Sequence, residues 1–273
     1  QKQKYLPDLV TGKKIGAFGL TEPNAGSDAG NTQTTAVLDG DNFIINGQKA
    51  FCTNAGVANT IIITAKLIEN NKEQGISAFI VESNTPGLTL GNPEKKMGWR
   101  GSDTRSVFFE NVIIPKDNML GSPSKGFQQF LNTLVGGRIT IGALSLGNAQ
   151  GAYQLALNYS KEREAFGKSI NKFQGVSFKL ADMATSIEAA KHLVYHAAWL
   201  KDNDRPVIKE AAMAKLFASE AAMKICTEAI QIHGGYGYIK EYDVERFFRD
   251  AKILEIGEGT SEVQRIIISR NIS

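Results

Sequence analysis

Two cysteines, two tryptophans and three histidines in 273 residues leave little material for several architectures. Cys52 and Cys226 have no metal or redox spacing. They read as reduced thiols of a cytosolic-type compartment, with a pairing between them left open. His192 and His196 stand four apart on a helix, but no Glu follows His192 directly and no third ligand is obvious. They read as surface or core histidines, so no metal is expected. His233 reads as shaping a glycine turn. Charge of one sign is also lacking: Lys and Arg number 31, Asp and Glu 28, and the two are interleaved. A nucleic-acid surface would concentrate the basic residues on one face. No apolar run is long enough to span a bilayer, and no charged-then-apolar signal opens the chain. There is no internal repeat and no low-complexity tract.

What is there divides into two halves. Composition, at 42% hydrophobic and 22% charged, is that of an ordinary globular protein with one large core or two modest ones. Gln1-Lys-Gln-Lys-Tyr-Leu-Pro7 reads as the tail of a helix already under way. From Ile15 to Leu120 the pattern is strands. Asp39-Gly-Asp-Asn42 is a hairpin signal between two β-rich runs. Thr60–Ala65 and Ile76–Glu82 read as short buried strands, and Ser106–Pro115 as a further one that stops at proline. From Ser124 the pattern turns helical. One run continues from Gly126 towards Glu164, and a second spans Phe173 to Leu200 with Leu180, Met183, Ile187 and Ala190 on one face. A third, Ala-rich run follows Pro206 and stops at Gly234-Gly235. A last one spans Thr260–Ile268. Long helices with short connections predict a four-helix bundle. The boundary is expected near Gly121-Ser-Pro-Ser-Lys125.

Glu255-Ile-Gly-Glu-Gly-Thr-Ser-Glu-Val-Gln-Arg265 carries the clearest chemistry. Glu258 precedes a glycine that adds no bulk, and Thr260-Ser261 offer hydroxyls and free N–H groups at a helix start. A base beside such a turn suits proton abstraction next to a carbonyl, although the same residues also make a plain helix cap. Leu20-Thr-Glu-Pro-Asn-Ala-Gly-Ser-Asp28 is a strand entering a polar turn. It reads either as a surface turn or as a close approach to a ligand through Gly26, Thr21 and Ser27. Phe51 and Thr53 lie two apart on one strand face, suited to a planar ring or to a core. Gly136-Gly-Arg138 lies inside a helix, where each glycine costs about 1 kcal/mol relative to alanine. Close packing or room for a ligand would account for it, with Arg138 meeting a carboxylate, a phosphate or a surface partner. Gln231-Ile-His-Gly-Gly-Tyr-Gly237 is a second glycine turn whose backbone could cradle a diphosphate.

Thr21–Asp28, Asn46-Gly-Gln-Lys49, Lys96-Met-Gly-Trp-Arg-Gly-Ser-Asp-Thr104, Arg163-Glu-Ala-Phe-Gly167, Gln231-Ile-His-Gly-Gly235 and Glu258-Gly-Thr-Ser-Glu262 together resemble the acyl-CoA dehydrogenase family of flavoproteins. The resemblance covers the whole chain in order. It is nearest to the short-chain, butyryl-CoA-like branch through Gly136-Gly-Arg138 and Ile256–Thr260. It implies an α+β protein: a middle β-barrel or sandwich-like domain over 15–121, then a C-terminal four-helix bundle over 122–273. Residues 1–14 would be the remnant of an N-terminal helical domain.

The resemblance also implies FAD as cofactor and an acyl-CoA as substrate. Electrons would pass to electron-transfer flavoprotein, and the protein would be a homo-oligomer, dimer or tetramer. Its location would be cytoplasmic in a bacterium and the mitochondrial matrix in a eukaryote. Glu258 would remove the α-proton while flavin N5 takes the β-hydride, giving a trans-2-enoyl-CoA. Phe18, Gly19, Leu20, Thr21, Gly26 and Ser27, with Phe51, Cys52 and Thr53, would contact FAD. Arg163, Phe166, Gln174, Gln231, Gly234 and Gly235 would reach FAD across a subunit interface. Thr260, Ser261 and Glu262 would complete the cofactor site. Ser27, Val135, Gly136, Gly137, Arg138 and Gly259 would contact substrate. The chain departs from the family pattern at Phe51, where Trp is frequent, and at Val135, where short-chain members often have Asp. Gly137 stands where some branched- and long-chain members carry their base, which leaves Glu258 to serve. An oxygen-using acyl-CoA oxidase and a non-catalytic flavin or acyl-CoA binder are the alternatives.

Overall fold

A computed structural model describes residues 1–272 of the chain. It divides into two compact units, one of residues 1–96 and 100–132, the other of 97–99 and 133 onward.

The first unit holds helix α1 (Lys2–Val10) and eight strands: β1 (Gly16–Gly19), β2 (Thr35–Asp39), β3 (Asn42–Thr53), β4 (Thr60–Glu69), β5 (Lys72–Glu82), β6 (Leu88–Leu90), β7 (Thr104–Pro115) and β8 (Met119–Leu120). The sheet order is β6-β7-β3-β2-β4-β5-β8, with β1 pairing β4. β4 lies parallel to β1 and β2 and antiparallel to β5. A strand so placed is covered along most of its length, which is why Thr60-Ile-Ile-Ile-Thr-Ala-Lys-Leu67 is nearly unbroken in apolar and β-branched residues. Phe43, Ile45, Ile61, Ile63, Leu67, Phe79 and Ile114 form the core. Phe43 and Phe79 meet edge to face at 5.0 Å.

β2 and β3 pair from Asp39 opposite Asn42, with Gly40 in the left-handed region, as the hairpin signal predicts. β4 and β5 run longer than their apolar stretches suggest. They form a second hairpin through Asn70-Asn71, both left-handed (φ 50° and 59°), a conformation asparagine tolerates better than most residues.

The second unit is helical. α2 (Gly126–Glu162), which enters this unit at Thr133, ends in a small hairpin of β9 (Glu164–Ala165) and β10 (Lys168–Ser169). α3 (Gln174–Asp202), α4 (Ile208–His233), α5 (Val244–Ala251) and α6 (Ser261–Arg270) follow. α4 packs with α3, α5 and α6. Its buried residues include Ala211, Ala214, Ala218, Ala222, Ile225 and Ala229, spaced by three and four. Small residues at that spacing let neighbouring helices approach closely. Gly142 of α2 extends the effect, since a Cβ there would press on Val194 and the Ala214 backbone. The sequence face Leu180, Met183, Ile187 and Ala190 is buried in this core. Truncating Ile187 or Ile225 to alanine costs about 2–5 kcal/mol. Among the described residues no helix is long and apolar enough to cross a membrane.

Candidate active site

Glu258 sits in a turn between a short 3-10 segment (Lys252–Glu255) and α6. Its φ is 57° and that of Gly259 is 93°, two consecutive left-handed residues. A non-glycine residue there costs about 1–2 kcal/mol and persists only where neighbours fix it. Gln264, fully buried, supplies part of that constraint: its Nε2 donates to the Glu258 carbonyl at 3.3 Å and the Gly259 carbonyl at 2.8 Å. Lys215 of α4 donates from Nζ to the same Gly259 carbonyl at 2.8 Å. Thr260 caps α6, its Oγ1 accepting from the Val263 N–H at 3.3 Å.

The carboxylate of Glu258 rests against Gly137 of α2, and a side chain at Gly137 would occupy its place. A Cβ at Gly136 would meet nothing. One glycine of the pair therefore admits the carboxylate and the other leaves open space. Val135 packs partly buried against the helical core. Arg138 is 6% exposed, so it is no surface ion-pair residue. Glu258 Oε2, Arg138 Nε and Ser261 Oγ are buried without a hydrogen-bond partner among the described residues. With Gln264 Oε1 they make four such orphans around one turn, a mark of a ligand site, because each otherwise costs about 1–3 kcal/mol.

Burial pushes the Glu258 carboxyl above the usual carboxylate range, and the charges of Arg138 and Lys215 oppose this without cancelling it. Burial also pushes Lys215 down to about 8, against the pull of Glu255, Glu258 and Glu262. A raised carboxyl beside open space, with cations near, is what a general base working at neutral pH needs.

In the first unit, Phe18 on β1 is 47% exposed and Phe51 on β3 is 66% exposed. Phe51 (φ 54°) lies where the β3–β7 register shifts between Lys49 and Cys52. A bulge of this kind re-aims side chains, here turning Phe51 and Thr53 outward and Cys52 inward. The Cys52 thiol is buried and pushed up to about 11 by that burial. Its contribution to a ligand would come from the backbone. Leu20 and Thr21 are half-buried, while Gly26 and Ser27 face solvent. Gly19 is buried, and a Cβ there would press on the side chains of Lys49 and Cys52.

Glu22 and Lys49 of the Thr21–Asp28 and Asn46–Lys49 motifs are joined in a buried cluster. Lys49 Nζ lies 2.7 Å from Glu22 Oε1, and both side chains are buried. Lys49 also donates to Thr32 and Thr64, and Glu22 accepts from Thr32 Oγ1 and the Gln33 and Thr34 N–H groups. Burial alone would raise the Glu22 carboxyl; these donors outweigh it and hold the group at about 2. The cluster pins the turn that presents Gly26 and Ser27. Asp103 does the same after Thr53, bonding Arg105 at 2.8 Å and the Gly56 N–H at 2.7 Å.

A further cleft of about 470 Å³ lies in the second unit, lined by Tyr159, Arg163, His233, Gly234, Gly235 and Tyr236. His233 is buried, stacks on Tyr159 at 4.3 Å and is bonded to the Ala229 carbonyl, which suits a structural role. The cleft gathers Arg163, Gly234 and Gly235. Gln174 and Gln231 are exposed outside its lining, and Phe166, 96% exposed, tips the β9–β10 hairpin. Glu262 is exposed at the start of α6. Lys215, Gln264 and Glu22 are the important residues that sequence reasoning did not single out. Lys215 lies within an Ala-rich helix and Gln264 within a helix start, with no local signal of either partner.

Two family descriptions cover most of the chain: "Acyl-CoA dehydrogenase, middle domain" matches residues 17–112 and "Acyl-CoA dehydrogenase, C-terminal domain" matches 124–273. The chain belongs to the acyl-CoA dehydrogenase family. The short-chain-specific acyl-CoA dehydrogenase of Clostridium acetobutylicum is 53% identical over all of this chain and 72% of the relative. Subunit CarC of the caffeyl-CoA reductase–Etf complex of Acetobacterium woodii is 51% identical over 98% of this chain and 71% of the relative. The structure of butyryl-CoA dehydrogenase from Megasphaera elsdenii superposes with a TM-score of 0.96 at 50% identity, covering 99% of this chain and 71% of that one. An acyl-CoA dehydrogenase is a flavoprotein oxidoreductase, and the chain's fold, a β-sheet unit followed by helices, is that of the family.

Proposed function

We propose that the chain dehydrogenates a short-chain acyl-CoA to the trans-2-enoyl-CoA, with Glu258 as the base. The observation that carries this is the buried, unpaired Oε2 of Glu258, held above the usual carboxylate range and facing the bare backbone of Gly137. In its ionised form the carboxylate takes the α-proton of the thioester. The charges of Arg138 and Lys215 oppose the effect of burial and favour that ionised form. Negative charge that develops on the thioester oxygen needs donors already in place. The Glu258 N–H is the backbone donor of this reading, and Arg138, Gly136 and Gly259 border the substrate.

FAD is the cofactor of this reading; when bound it supplies the acceptor for the hydride leaving the β-carbon. Exposed Phe18 and Phe51 faces, outward Thr53 and the open Gly26-Ser27 turn fit a planar ring carrying a polyol and diphosphate. The cleft beside Arg163, Gly234 and Gly235 fits the anionic part of such a group presented by another copy of the chain. The exposed Phe166 tip favours a homo-oligomer. The relative from a caffeyl-CoA reductase–Etf complex supports electron-transfer flavoprotein as a partner; that it takes the electrons is part of this proposal.

Anaerobic titration of the FAD-loaded protein with butyryl-, octanoyl- and isovaleryl-CoA tests the reading. Loss of oxidised-flavin absorbance with butyryl-CoA at the lowest concentration supports it. Bleaching by octanoyl- or isovaleryl-CoA alone would overturn the short-chain assignment, and no bleaching by any would overturn the dehydrogenase.

A further inference from the structure

Lys215 is fully buried, yet no carboxylate lies within ion-pair distance of it among the described residues. Its hydrogen bond goes instead to the carbonyl of Gly259, the residue after the base. Burying an ammonium without a counter-ion costs several kcal/mol, and a neutral amide could hold a carbonyl for less. Gln264, an amide, already does so at the same oxygen. The cation is therefore redundant as a mere carbonyl anchor. What it adds is a positive charge, present below about pH 8, behind a left-handed Glu258-Gly259 turn.

We propose that Lys215 is a positioning residue for Glu258: from beneath the turn it holds the Gly259 carbonyl, so aiming the carboxylate, and it places a positive charge behind that carboxylate. This rests on Glu258 being the base. The charges facing Lys215 are Arg138 from α2, Glu255 from the 3-10 segment, Glu258 from the turn and Glu262 from α6. Those facing Glu258 are Arg138 and Lys215. With Lys215 gone, Arg138 is the one remaining cation opposing the effect of burial on the base. The turn keeps Gln264 but loses its second donor.

The test uses the FAD-loaded protein with Lys215→Met and Lys215→Arg. Glutamate carboxyls carry a ¹³C label, and Glu258 is assigned by the signal absent in Glu258→Gln. In Lys215→Met the Glu258 titration midpoint moves up, and the flavin reduction rate with butyryl-CoA falls roughly ten- to hundredfold with little change in substrate affinity. Its thermal midpoint holds or rises, because an unpaired buried charge has been removed. Lys215→Arg keeps the Glu258 midpoint near wild type even where the larger group slows turnover. A Glu258 midpoint unmoved in Lys215→Met overturns the proposal. So does a lowered thermal midpoint with the Glu258 midpoint and rate unchanged, which is the signature of a purely structural lysine. Failure of wild type to reduce its flavin with any acyl-CoA would strike the dehydrogenase reading, while the carboxyl titration still decides the role of Lys215.

Discussion

The Glu258 carboxylate occupies the space that a side chain at Gly137 would need. The two residues lie on separate elements of the second unit, a turn and the long helix α2. Their fit explains why a helix tolerates glycine at that position. Gly137→Ala restores a better helix former, worth about 1 kcal/mol in an exposed helix, while its methyl displaces the carboxylate. The expected result is an intact fold with turnover lowered roughly ten- to a hundredfold, since a displacement of about 1 Å at a reacting group has that scale. Thermal melting and steady-state kinetics on the same preparation check it. Wild-type turnover in Gly137→Ala would show that the base does not use this space.

Glu258 also predicts a stability change of definite sign. Its carboxyl titrates higher in the folded chain than in the unfolded one. Between those two values the folded state holds the extra proton, so stability falls as pH rises through the window and stays lowered at neutral pH. Glu258→Gln removes this term. The variant should melt above wild type at neutral pH, with the gap closing below the ordinary carboxylate range. Melting curves across pH decide it; a gap of the opposite sign would contradict the raised carboxyl.

The Glu22–Lys49 pair behaves in the opposite sense. Glu22 is held at about 2, so its contribution is present above the ordinary carboxylate range and is lost as pH falls through about 2. Lys49→Met strands a buried carboxylate and should cost about 3–5 kcal/mol. The double variant Glu22→Gln/Lys49→Met should recover part of that loss. Chemical denaturation of the three proteins tests this, and an additive double variant would show that the pair is not coupled.

Sequence made much of the architecture legible because the decisive signals were local. Gly40 in a two-residue turn and the helical spacing of Leu180, Met183 and Ile187 each report on their own neighbourhood. Asn70-Asn71 was a weaker turn signal, and the strands on either side were read too short. α5 went unread because Val-Glu-Arg-Phe-Phe-Arg-Asp-Ala is short and heavily charged. Glu258 stood out as a carboxylate set between glycines before a hydroxyl-bearing helix start, and the Gly136-Gly137 pair because glycine inside a helix is costly without a reason. Glu22 with Lys49, and Lys215 with Gly259, did not, since 27 and 44 residues separate the partners and only the fold joins them.

Arg163 presents its guanidinium 5.8 Å from the Tyr236 ring beside the Gly234-Gly235 turn. On the proposed reading it meets an anionic part of FAD. Arg163→Ala should weaken FAD binding about tenfold or more, the scale of one charge-assisted hydrogen bond of about 1.5–3 kcal/mol. Wild type should lose affinity with added salt more steeply than the variant. Flavin fluorescence titrations at two ionic strengths measure both, and equal affinity of the two proteins would remove Arg163 from the site.

Replacing one oxygen of the base gives the most direct test of the account. FAD-loaded Glu258→Gln and wild type would be mixed anaerobically with butyryl-CoA and the oxidised-flavin absorbance followed in a single turnover. Glu258 as the base predicts full flavin content in both proteins, rapid bleaching of wild type and none of the variant on that timescale. Bleaching of Glu258→Gln at the wild-type rate would contradict the assignment.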